Sequence, residues 1–146
     1  SLVESTLIGA LPDYATAISR RAAAFRQQAL SVDARLRSLL APYAGRAFFI
    51  YHPALGYFAD RYNLEQVAIS MSNRTPTARE LHRRIEQARD LGVRVIFIQP
   101  QESRRHAEII ADAIGAELVE IDPMETDWKG NLLGIAEALA GSFARE

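Results

Sequence analysis

Cysteine is absent from this chain of 146 residues. That excludes disulfides, thiolate metal ligands and cysteine nucleophiles. An excess of charge of one sign is also lacking. Lysine and arginine total 17 against 18 aspartates and glutamates, a net charge of −1. Nothing draws the molecule as a whole to nucleic acid or to an anionic membrane. No run is long and apolar enough to span a bilayer. Ser1-Leu2-Val3-Glu4 lacks the basic-then-apolar plan of a secretion signal. On that ground the chain reads as cytosolic, as a processed product or as an excised segment. No glycine-rich phosphate loop follows the first predicted strand, since His52-Pro53-Ala54-Leu55-Gly56 offers one glycine and a proline. That argues against a mononucleotide or dinucleotide site. No Gly-x-Ser-x-Gly nucleophile elbow occurs, and the predicted strand ends lack the acidic cluster of a receiver-type phosphorylation domain. Internal repeats, low-complexity segments and flexible linkers are missing as well.

What is present is ordinary for a soluble domain: 49% apolar and 24% charged residues. The length suits one domain with one hydrophobic core. Leu11-Pro12-Asp13 marks a helix start after a short lead, with Pro12 tolerated in the first turn. A helical pattern then runs to Ala41-Pro42. Its apolar stripe is Ile18, Ala22, Phe25, Ala29, Val32, Leu36 and Leu39, at alternating spacings of four and three. About 29 residues at about 1.5 Å each give roughly 43 Å, long for a domain of this size. Such a helix either bridges two lobes or packs on its own sheet.

The remainder alternates strand and helix. Strands are predicted at 47–51, 66–70, 93–98 and 117–121. Helices are predicted at 53–62, from an N-cap at Thr75 to Leu91, from Ser103 to Gly115, and at 131–143. Trp128 falls in a loop expected to cover the sheet edge. The expected fold class is α/β, a four-stranded parallel sheet flanked by helices and preceded by a long backbone helix. Residues 1–41 form the lead and connector helix, and residues 42–146 the α/β lobe.

Open α/β sheets bind ligands outside the carboxyl ends of their strands. Those ends offer His52, then Met71-Ser72-Asn73, then Gln99-Pro100-Gln101-Glu102, then Asp122-Pro123. Imidazole and carboxylate both suit zinc or manganese. His52 and Asp122 together make half of a four-coordinate site. His52 could equally cap the following helix or act as a general base. His82 and His106 sit among charged residues and read as surface positions. Tyr57 and Phe58 follow the spacing of a packed helix face and read as core.

These residues carry a resemblance that covers nearly the whole chain. The segments are Arg21-Ala22-x-x-Phe25, Phe48-x-x-x-His52-Pro53-Ala54-x-Gly56-Tyr57-Phe58-x-x-Arg61-Tyr62-x-Leu64 and Thr75-Pro76-Thr77-x-x-Glu80-Leu81. They continue with Val93-x-Val95-Ile96-Phe97, Ala107-Glu108-x-Ile110-Ala111-x-x-Ile114-Gly115-Ala116 and Leu118-Val119-x-Ile121-Asp122-Pro123. The sequence resembles the C-terminal lobe of the metal-binding solute-binding proteins of bacterial ABC importers for zinc and manganese. The resemblance implies two α/β lobes joined by one rigid helix, with the metal held between them. It implies that His52 is a metal ligand, that Asp122 is a second, and that the other ligands lie on an N-terminal lobe that nothing here matches. Histidine at position 52 points to zinc, with manganese second. Further implications are a periplasmic or extracytoplasmic location, a membrane permease as partner, no nucleic acid and no catalysis. An isolated lobe would expose surfaces ordinarily covered by the other lobe, and these could drive dimerisation. Many relatives carry glutamate where Gln99 stands. Its loss removes a negative charge from the rim and would weaken outer support for the histidine. The alternative is a small α/β enzyme or a signalling or interaction domain that uses His52 as a general base.

Overall fold

A computed structural model describes residues 1–70 and 77–145. Chain contacts divide it into two units, Ser1–Arg35 and Leu36–Glu146.

The first unit begins with helix α1, Leu2–Ala10. The sequence predicts only a short lead here. The helix escaped notice because α1 buries no residue and so has no apolar stripe to betray it. Its signal was the start. Ser1 caps α1 and Glu4 closes a capping box, and Glu4 also takes a hydrogen bond from Arg26 at 2.6 Å. A 3-10 turn at Pro12–Tyr14 leads into α2, Ala15–Leu40. The predicted stripe on α2 is uneven. Ile18, Ala22 and Ala29 are half-buried, Phe25 is exposed, and only Val32 and Leu36 are buried.

The second unit holds the sheet. Strands β1 (Ala47–Ile50), β2 (Glu65–Ala68), β3 (Val95–Ile98) and β4 (Glu117–Glu120) are all parallel, in the order β2-β1-β3-β4. Helices α3 (Gly56–Tyr62), α4 (Ala78–Asp90) and α5 (Arg104–Ile114) make the crossovers, and α6 (Trp128–Phe143) follows β4. The chain leaves β1 toward one edge, returns past it to β3, and continues to β4. With right-handed crossovers, α4 and α5 share one face and α3 takes the other. The packing agrees. Phe49, Tyr51, Val67, Ile96 and Ile98 form one buried cluster with Ala88 of α4 and Ala107, Ile110 and Ala111 of α5. Phe48 and Phe97 alternate to the opposite face, where their rings meet edge-on at 6.3 Å. The all-apolar sequences of the two central strands, β1 and β3, follow from this two-sided burial.

Element ends moved for local reasons. Helix α3 starts at Gly56 rather than Pro53, because Pro53 and Ala54 form a turn in which Ala54 N–H donates to the His52 carbonyl at 2.8 Å. Helix α4 is capped by Thr77, which forms a capping box with Glu80. The predicted cap Thr75 lies outside the described residues, as do Met71, Ser72 and Asn73. Trp128 opens α6 instead of lying in a loop, since Asp127 caps that helix through the Gly130 N–H. Tyr57 was expected in the core and is 96% exposed. Seven residues make α3 a two-turn helix, and its buried position is Ala59.

Candidate metal centre

Strand register decides which side chains meet. Ile50 pairs with Phe97, and Ile98 pairs with Glu120. Continued past the strand ends, this sets His52 level with Gln99 and Gln99 level with Ile121, so Asp122 stands one residue further out. The backbone hydrogen bonds Tyr51 N–H to Phe97 carbonyl (2.7 Å) and Ile121 N–H to Ile98 carbonyl (2.9 Å) carry the register to this edge. The connection after β1 leaves toward β2 and the one after β3 leaves the opposite way toward β4, so His52 and the turn after β3 flank the topological switch point, where open sheets form their ligand crevice. His52 and Asp122 are separated by β3. Two strand spacings of about 4.8 Å put their backbones about 10 Å apart.

His52 is half-buried. Its Nδ1 lies 3.8 Å from Glu102 Oε1, and the two side chains keep 38% and 29% of their exposure. Its carbonyl accepts the Gln99 amide, Nε2 to O, at 2.8 Å. Gln99 therefore serves the backbone of His52 rather than its ring. An ionised glutamate has no proton to give this carbonyl, and the amide does. Gln99 is 5% exposed, and its Oε1 has no donor among the described residues.

Asp122 is fixed by its loop. Its Oδ1 accepts from Met124 N–H at 3.0 Å, and its carbonyl accepts Asn131 Nδ2 at 2.7 Å. Asp122 is thus anchored through its carboxylate to its own turn and through its backbone carbonyl to α6. The charge of Glu102 reaches the residue just past β1: burial first, and Glu102 second, push the Tyr51 phenol above the usual tyrosine range. Elsewhere, His82 is exposed on α4 and His106 is half-buried in the first turn of α5. Among the described residues, no three His, Cys, Asp or Glu side chains converge closely enough to hold a metal. The sequence assigns no role to Glu102. Its signal lies in spacing, four residues after the end of β3 at the switch point.

Comparison with known proteins bears on the whole chain. The profile described as "ZnuA: Zinc-uptake complex component A periplasmic" matches residues 1–144. The high-affinity zinc uptake system protein ZnuA of Paracoccus denitrificans (strain Pd 1222) is 29% identical over 136 residues, covering 89% of this chain and 41% of that protein. A crystal structure of ZnuA superposes with a TM-score of 0.92 at 31% identity, over 96% of this chain and 55% of that one. A zinc-bound deletion mutant of ZnuA gives 0.89 at 31% identity, over 96% and 54%. The chain thus spans about half the length of the solved ZnuA structures, and less of the Paracoccus protein.

Proposed function

Because the chain belongs to the family of periplasmic zinc-uptake complex component A, ZnuA, we propose that it is the C-terminal lobe of a zinc importer's substrate-binding component. Its cargo is zinc, with manganese second. Its partner is the membrane permease of an ABC importer, and it works at the extracytoplasmic face. The observation that carries this reading is the placement of His52 and Asp122 on one sheet edge, on either side of β3. We assign both as zinc ligands. Neutral imidazole and ionised carboxylate are zinc donors at about 2.0–2.2 Å, and tetrahedral zinc needs two more. Those come from a second lobe, with residues 1–41 as lead and connecting helix and residues 42–146 as the α/β lobe. The mechanism is capture and release without bond-making in an organic substrate, so no catalytic residue is assigned. Acid weakens capture, because protons compete for the imidazole that zinc requires.

Calorimetry with zinc tests this. The isolated chain binds zinc weakly, because it holds half a site. A monomer that binds one zinc with nanomolar affinity overturns the half-site reading. In the two-lobed protein, His52→Ala lowers zinc affinity by about tenfold or more, since even outer partners of a ligand are worth about 10–100-fold. Unchanged affinity with an intact fold removes His52 from the ligand set.

A further inference from the structure

One turn grips His52 from two ends. The turn joins β3 to α5 and is closed by the Glu102 N–H donating to the Gln99 carbonyl at 3.1 Å. Its first residue, Gln99, donates to the His52 carbonyl at 2.8 Å. Its last, Glu102, sets a carboxylate oxygen 3.8 Å from the His52 Nδ1. Backbone and ring of one residue are thus addressed from one closed loop, in which Pro100 fixes its own φ.

An imidazole that binds a metal uses the lone pair of one nitrogen. The other nitrogen keeps its proton and gives it to a carboxylate, carbonyl or water, which fixes the tautomer and the ring orientation. With Nδ1 turned toward Glu102, Nε2 is the nitrogen left for a ligand. A separation of 3.8 Å exceeds a hydrogen bond. At that distance the carboxylate acts by charge, favouring the tautomer whose N–H dipole points at it. Free histidine side chains favour the opposite tautomer, with the proton on Nε2. The bias must therefore come from the protein.

We propose that Glu102 is a positioning residue for His52: its carboxylate holds the proton on Nδ1 and keeps the Nε2 lone pair free for zinc. This rests on the zinc reading above. The expectation is read without metal, so the two can fail separately. In the metal-free 15N-labelled chain, at a pH where His52 is neutral, two-bond 15N–1H correlation spectra should show the Nδ1–H form predominating. Glu102→Ala should shift His52 to the Nε2–H form, with the other resonances in place. Glu102 keeps 29% of its side-chain exposure, so truncation leaves no buried cavity. A wild-type His52 that is mainly Nε2–H overturns the proposal. So does a tautomer unchanged by Glu102→Ala. Zinc added to the two-lobed protein, labelled in the same way, then reads the underlying assignment: a shift at Nε2 supports both. Zinc that leaves the ring unmoved removes His52 as ligand, while the tautomer still decides the role of Glu102.

Discussion

Tyr51 reports on the charge beside the proposed ligand. Burial raises its phenol most, and Glu102 raises it further. A folded-state value above the unfolded one means that the neutral phenol favours folding below the unfolded value of about 10, and that this contribution is lost as pH rises through the folded value. Spectrophotometric titration should therefore find one of the five tyrosines ionising above the ordinary range. Glu102→Gln should bring that tyrosine part of the way back, leaving the share due to burial. A titration unmoved by Glu102→Gln would mean that the carboxylate does not face β1. At this scale the sequence was a good guide to residue type and a poor one to company. It offered His52, Gln99, Glu102 and Asp122 as strand-end residues. It could not show that Gln99 serves the backbone of His52 and that Glu102 faces its ring, because those meetings need residues 47 and 50 apart brought together by the sheet.

Helix ends show which local signals are decisive. Helix α5 closes on Gly115 at φ +69°, and an added Cβ there would meet nothing within 4 Å. Space is open, yet the left-handed backbone itself costs a side chain roughly 1–2 kcal/mol. Gly134 also has open space, but it lies inside α6 with no left-handed angle. There alanine removes the glycine penalty of up to about 1 kcal/mol. Denaturant unfolding should show Gly115→Ala losing stability and Gly134→Ala gaining it. Equal signs would mean that space rather than backbone angle governs these positions. The sequence read the Gly115 stop and the Ser103 start because both signals are local, although the Ser103 side chain makes no capping hydrogen bond. It misplaced the starts of α3 and α6, where a proline turn after His52 and the side chain of Asp127 decide.

Across the whole molecule the apolar contacts are unevenly shared. Helix α1 buries no residue, whereas β3 is buried at all four positions. Local opening is cheapest where buried contacts are few. Native-state hydrogen exchange should therefore find α1 amides exchanging well ahead of those in β1 and β3. Equal protection would mean that α1 is covered by more than its own capping box and the Arg26–Glu4 pair. The same unevenness explains how α1 was missed. Periodicity reveals a helix through the face it buries, and this one buries none.

By itself the sequence determined the fold class and the alternation of strands and helices from β1 onward, because apolar runs, caps and glycine stops act within a few residues. It also supplied the motif that carried the family resemblance. Only the tertiary structure decided the strand order β2-β1-β3-β4, and with it that His52 and the Gln99–Glu102 turn flank the switch point while Asp122 stands across β3. The reason is physical. Ligand sites on open sheets are set by which strand ends become neighbours, and parallel neighbours are chosen by crossovers between residues far apart in the chain.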